Sequence, residues 1–189
     1  SYTILDREDA EDAVNLHRSS IADIKERRFP RKGTICDIYS KALNKNKPIE
    51  EIIETEYSQF KQCTDSIIEI CRKYSEYKRS NSLLDYDDLL LYLKTLLSSS
   101  EKVRKSLSET YKYIMIDEYQ DTNSLQAEIV RLLAYTHNNV MAVGDDSQSI
   151  YSFRGANFKN IINFPNLFEG TKIIKLEQNY RSTQNILDV

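Results

Sequence analysis

Two adjacent acids, Asp117 and Glu118, close the apolar run Tyr113 to Ile116 in the string YKYIMIDEYQDTN. A carboxylate at the carboxyl end of a buried strand can hold a magnesium ion, largely through water, because Mg2+ keeps much of its hydration shell. A second carboxylate one residue on points another way and can orient or deprotonate an attacking water. The pair by itself reads equally as a solvated turn ahead of a helix. A second string, VGDDSQSIYSFRGA, carries Gln148 and then Tyr151, Phe153 and Arg154, two aromatic faces and a cation within four residues. Stacking of a base on an aromatic ring tolerates any base and is worth roughly 1–3 kcal/mol per base. The same two rings could instead close the loop onto a core. A third string, LEQNYRST, sets Tyr180 beside Arg181. Read locally, these are an aromatic half-buried after a strand and a surface arginine near a helix start.

The surrounding pattern says what must position these residues. YIMI and NNVMAVG are continuously apolar, as expected of parallel strands covered on both faces. The string DTNSLQAEIVRLLAY begins with cap residues and repeats Leu125, Ile129, Leu132 and Leu133 at helical spacing. TKIIKL reads as a third strand, and a helix is expected over about 85–98, with Asp85 at its start and the neighbouring acids favoured by the helix dipole. Alternation of this kind predicts an α/β core with a mainly parallel sheet and flanking helices. Ligands of such sheets bind beyond the carboxyl ends of the strands, where both Asp117–Glu118 and Gly144–Asp145 fall.

Upstream, YTIL reads as a short strand entering a helix capped at Asp6. Residues 16–81 are polar, charged and helical, with Phe60, Ile67, Cys71 and Tyr74 spaced along one face of a long amphipathic helix. This predicts an all-helical subdomain inserted into the core: 1–15 start the core, 16–81 are the insert, and 82–189 carry the rest. Within the insert, ERRFPRKGT is a basic patch with one aromatic, readable as a DNA-backbone contact or as solvated loop charge.

Composition sets bounds. The net charge is −3, with Lys+Arg 26 against Asp+Glu 29, which argues against coating nucleic acid by bulk charge and leaves room for a local basic groove. Cys36, Cys63 and Cys71 form no CxxC pair and read as reduced, buried thiols of a cytoplasmic protein. The opening SYTILDREDA has no signal-peptide pattern. The oiliest stretch, LLDYDDLLLYLKTLL, carries three aspartates and a lysine and suits no membrane span.

Taken together and in order, IDEYQDTN, VGDDSQSIYSFRGA and LEQNYRST resemble the Walker B motif and the next two motifs of the UvrD/Rep-type superfamily 1 DNA helicases. The resemblance is close from about residue 82 onward and looser before it. It implies a partial RecA-like fold, the first motor domain (1A-like) with its helical insert (1B-like). It also implies ATP and Mg2+ as cofactors, single-stranded DNA and single/double-strand junctions as partners, and movement 3′→5′. Residue by residue, it implies that Asp117 holds the metal with Glu118, and that Glu118 activates water for attack on the γ-phosphate. Gln148 would bond near that phosphate and report its presence to the DNA side. Arg181 would stabilise charge on the transferring phosphate, and Tyr180 would stack on adenine. Tyr151, Phe153 and Arg154 would meet the strand. The family often has tryptophan where Phe153 stands, and this chain has no Trp.

A phosphate loop would read GxxxxGK[ST]. None of Gly33, Gly144, Gly155 and Gly170 fits it. The expectation is therefore an internal segment of a helicase that is inactive alone, with an uncovered strand edge that invites self-association. Two other readings stay open: a single-stranded-DNA or protein binding module derived from such a helicase, and another nucleotidase lineage sharing only the acid pair.

Overall fold

The computed structural model describes residues 2–21, 29–149 and 159–187. Strand β1 (Thr3–Ile4) pairs in parallel with β2 (Leu83–Leu84), Thr3 opposite Leu83. Between the two in sequence lie α1 (Arg7–Arg18), α2 (Lys32–Lys45), α3 (Ile49–Glu56), a 3-10 turn (Ser58–Cys63) and α4 (Thr64–Ser80). After β2 come α5 (Tyr86–Ser99), α6 (Glu101–Thr110), β3 (Ile114–Ile116), α7 (Ser124–Leu133) and β4 (Val140–Ala142). Two further helices are α8 (Lys159–Leu167) and the single turn α9 (Gln184–Leu187). Strands β3 and β4 form a second parallel pair, with Met115 opposite Met141.

Local chemistry explains the helix boundaries. Asp6 Oδ1 accepts the Asp9 N–H at 2.9 Å, and Glu8 and Asp9 occupy the first turn of α1 with His17 and Arg18 in its last, as the dipole favours. Asp85 and Asp88 form a reciprocal capping box on α5, and Asn123 and Gln126 form another on α7. Asn46 ends α2 in the left-handed conformation at φ 53.

Three apolar clusters hold the elements together. The largest gathers Val14, Ile35, Ile38, Ile52, Ile53, Ile67, Ile70 and Tyr74 from α1 to α4. Burying an aliphatic side chain of this size contributes about 1.5–3 kcal/mol, so this helical region has a core of its own. Leu97, Leu125, Ile129 and Leu132 join α5 to α7. Tyr119, Ala134, Phe164 and Phe168 pack with Ile114, Ile116, Val140 and Ala142 on one face of β3–β4.

Among the described residues the strands are parallel, but they form two separate two-stranded ladders rather than one sheet. Among the described residues, the apolar cluster covers one face of β3–β4, and Met115 and Met141 are 73% and 53% exposed on the other. TKIIKL is not a strand, because neither ladder extends to it, and Ile173, Ile174 and Leu176 lie exposed. Phe60 sits in the 3-10 turn, not in α4. The helix begins only after Cys63, whose φ of −102 and ψ of 10 break the path, while Ile67, Cys71 and Tyr74 are buried on it as expected. All three cysteines are buried and none forms a disulfide; burial pushes the Cys36 and Cys71 thiols up to about 12. No helix among the described residues is long and apolar enough to cross a membrane.

Candidate functional site

The site starts where β3 ends. Asp117 Oδ1 accepts the Glu118 backbone N–H at 2.9 Å, and Glu118 turns the chain with φ 50 and ψ 42. Few residues other than glycine adopt this left-handed conformation, and those that do tend to be held in place by their surroundings. Here the hold is visible on both sides. The Val143 N–H donates to the Ile116 carbonyl at 2.8 Å and the Tyr119 N–H to the Val143 carbonyl at 2.9 Å, which continues the β3–β4 ladder past the acids. Tyr119 then drops into the core, edge-on to Phe164 with ring centroids 5.3 Å apart. Burial pushes its phenol above the usual range. Asp117 and Glu118 themselves remain exposed, so their free oxygens face solvent at the carboxyl end of the strand.

The second motif lies alongside, at the end of β4. Gln148 Nε2 donates to Asp145 Oδ2 at 2.8 Å, and Asp145 Oδ1 accepts the Ser147 N–H at 3.0 Å, so one aspartate shapes the GDDSQ turn. Gln148 is exposed.

Gln120 joins the two motifs. Its side chain is 1% exposed; Nε2 donates to Glu118 Oε2 at 2.6 Å and Oε1 accepts the Asp145 N–H at 3.0 Å. The donor and acceptor inventory fixes this orientation of the amide, since the Asp145 N–H can only donate. The Gln120 backbone carbonyl also accepts from Ser149 Oγ at 3.4 Å. Gly144 makes the approach feasible: a Cβ there would stand 2.4 Å from Gln120 Oε1.

Other expected residues are placed less closely. Asn179 Oδ1 accepts the N–H groups of Arg181 at 2.8 Å and Ser182 at 2.9 Å, which folds the NYRS turn. Tyr180 is 87% exposed rather than half-buried, and no strand precedes it. Among the described residues, no hydrogen bond or ion pair joins Tyr180 or Arg181 to Asp117, Glu118 or Gln148. Tyr151, Phe153 and Arg154 lie outside the described residues. In the basic patch, Phe29 is buried beneath the Arg18 guanidinium, 5.6 Å from its ring centre, and Lys32 pairs with Asp12 at 2.5 Å. That ring belongs to the core.

The oxygens of Asp117 and Glu118 make a hard, anionic donor set open to solvent. It fits a magnesium ion that retains several waters better than a softer metal.

The family model for the UvrD/REP helicase N-terminal domain matches residues 1–169. This chain belongs to the UvrD/Rep helicase family. Among its relatives, the probable DNA helicase II homolog of Rickettsia conorii is 49% identical over 117 residues, covering 60% of this chain and 18% of the relative. The ATP-dependent DNA helicase PcrA of Leuconostoc citreum is 46% identical over 125 residues, covering 66% and 17%. The ATP-dependent DNA helicase Rep of Escherichia coli is 46% identical over 114 residues, covering 60% and 17%. The matched stretches are less than a fifth of these relatives' lengths. Of the residues singled out in this UvrD/Rep family member, Asp117, Glu118, Gln148 and Tyr151 to Arg154 fall inside the family match, whereas Tyr180 and Arg181 lie past residue 169.

Sequence reasoning missed Gln120. Its only signal was position, as the one long amide inside DEYQDTN, two residues past the acid it touches. Nothing in its type announced that it would be buried.

Proposed function

We propose that this chain is a portion of the first motor domain of an ATP-dependent DNA helicase that couples Mg–ATP hydrolysis to 3′→5′ movement on single-stranded DNA. The observation that carries the reading is the acid pair at the end of β3 lying against the GDDSQ turn at the end of β4, with Gln120 bonded to both. A nucleotide site and a second, responsive loop then share one buried side chain.

In this reading Asp117, with Glu118 beside it, holds Mg2+, which when bound offsets negative charge on the β- and γ-phosphates. Glu118 accepts a proton from the attacking water. Gln148, exposed at the turn, reaches the γ-phosphate side. Arg181 supplies charge to the transferring phosphate, a contribution worth about 10³–10⁵ in rate for arginine fingers generally. Tyr180 offers an exposed ring to adenine, and Tyr151, Phe153 and Arg154 bind the strand by stacking and charge. The strands and helices outside 16–81 are the partial RecA-like core, and 16–81 are the inserted helical subdomain. The return of β2 to pair with β1 supports that division. Single/double-strand junctions are the proposed substrate, and the cytoplasm the proposed compartment.

The chain contains no GxxxxGK[ST] string, whose backbone N–H groups and lysine normally bind the β- and γ-phosphates. By itself it should therefore not turn over ATP. The experiment is DNA-stimulated ATP hydrolysis by this chain and, in parallel, by the full-length protein. Activity confined to the full-length protein supports the proposal. Turnover by the chain alone would show that other groups bind the phosphates, and absence of activity in both would favour a binding module.

A further inference from the structure

Gln120 is the buried polar group closest to the reacting acids that the motif roles leave unused. Its position is over-determined. One end of the amide donates to Glu118 Oε2 at 2.6 Å, the other accepts the Asp145 N–H at 3.0 Å, and burial to 1% exposure leaves it no water to exchange with. Gly144 keeps the space open, because a Cβ there would meet Gln120 Oε1 at 2.4 Å and Ile161 Cδ1 at 2.8 Å. Glu118 meanwhile sits in a left-handed backbone conformation at φ 50. That conformation aims its side chain only if the carboxylate is also fixed, and Gln120 is the one side chain that donates to it among the described residues.

We propose that Gln120 is the positioning residue for Glu118: its amide fixes the orientation of the carboxylate, and its bond to the Asp145 N–H ties that orientation to the GDDSQ turn. A shift of the turn would pull on the Asp145 N–H, move the amide and swing the carboxylate. Loop and acid are thus joined by one rigid group rather than by a chain of contacts. The inference rests on Glu118 being the water-activating acid.

The test uses the full-length protein and reads kcat and KM for ATP at saturating single-stranded DNA. Gln120→Met keeps the volume and removes both donor and acceptor. The expected result is a fall in kcat of roughly 10–100-fold, the usual cost of removing an outer-shell partner at a metal site, with KM little changed. Glu118→Asp shortens the carboxylate beyond reach of the amide, so in that background Gln120→Met should add less than about threefold, as expected for two residues acting as a unit. Costs that multiply, or full kcat in Gln120→Met, overturn the proposal. If Gln120→Met does not fold, Gln120→Glu preserves the volume and the acceptor for Asp145, and full activity in that variant overturns the proposal equally. Glu118→Gln is run beside them. Turnover surviving in that variant sinks the water-activating reading itself, a failure distinct from an ineffective Gln120 substitution.

Discussion

Asn123 Nδ2 donates to Asn44 Oδ1 at 2.9 Å, in a buried contact between residues 79 positions apart. Asn123 ends the DEYQDTN string and caps α7, while Asn44 belongs to α2 and also donates to Asp87 Oδ1 at 2.9 Å. One amide pair therefore fixes the helical region against the helix that follows the acids.

Replacing Asn123 with Ala removes a cap, which costs about 0.5–2 kcal/mol, and leaves the buried Asn44 oxygen unpaired, adding about 1–3 kcal/mol. Urea unfolding of the chain should show Asn123→Ala more destabilised than Asn123→Asp, which keeps the cap. Equal losses would mean that the cap contributes nothing, since both variants lose the Nδ2 donor to Asn44.

Lys78 is 2% exposed and pairs with Asp85 at 2.5 Å and Asp88 at 2.6 Å, while Tyr74 Oη donates to the same Asp85 oxygen at 2.8 Å. Lys78→Met should cost about 3–5 kcal/mol, since two buried carboxylates lose their cation. Burial works to raise the Asp85 carboxyl, but the Lys78 ammonium outweighs it and holds the group below its ordinary 3.8. A depressed carboxyl stabilises the fold fully above its unfolded value and loses that contribution as pH falls through the folded one. The stability gap between the parent and Asp85→Asn should accordingly be complete above about pH 4 and close below it. A gap constant from pH 6 to pH 2 would contradict this linkage.

Glu118 keeps a left-handed backbone that glycine adopts without penalty. Glu118→Gly should leave stability within about 1 kcal/mol of the parent, because relief of the left-handed backbone is set against an unpaired Gln120 Nε2, while abolishing turnover in the full-length protein. Thermal unfolding and ATP hydrolysis, measured on the same preparation, check both halves. Retained turnover would contradict the role of Glu118, and a loss of stability well beyond about 1 kcal/mol would show that its left-handed backbone carries little strain.

Met115, Met141 and Tyr113 leave an apolar patch on the uncovered face of β3–β4. Patches of this kind promote association. Sedimentation velocity should show concentration-dependent self-association of the chain, reduced in the Met115→Lys, Met141→Lys double variant. Identical behaviour of the two would place any association elsewhere.

Much of this arrangement was legible in sequence, for identifiable reasons. Asp6 and Asp85 announced helix starts because a short acidic side chain ahead of a periodic segment has little else to do. YIMI and NNVMAVG gave strands that pair as expected. TKIIKL has the same composition and gives none, because a strand needs a neighbour's N–H and C=O groups and no composition supplies them. Lys78 carried a signal that went unread: it extends the Ile67, Cys71, Tyr74 stripe by one further step, so a cation was standing on an apolar face. Its two acidic partners come from the next helix start, where they also serve as caps, and a residue with two duties shows only one in sequence. Of the candidate site, the acids and the GDDSQ turn were legible as motifs, whereas the link through Gln120 depends on β3 and β4 lying side by side.

The pairing of β1 with β2 has a consequence for how freely this chain can change length. Thr3 meets Leu83 across the whole helical region, so the ladder closes a loop whose entropy grows only logarithmically with the residues inside it. Doubling the intervening chain would weaken that closure by only about 0.6 kcal/mol. Because the helical region has its own apolar core, its outer surface can change while its two ends stay stitched to neighbouring strands. The junction at Thr3 and Leu83 is thus a place where material can be added, provided that Asn44 keeps its bond to Asn123 at the end of the acidic string.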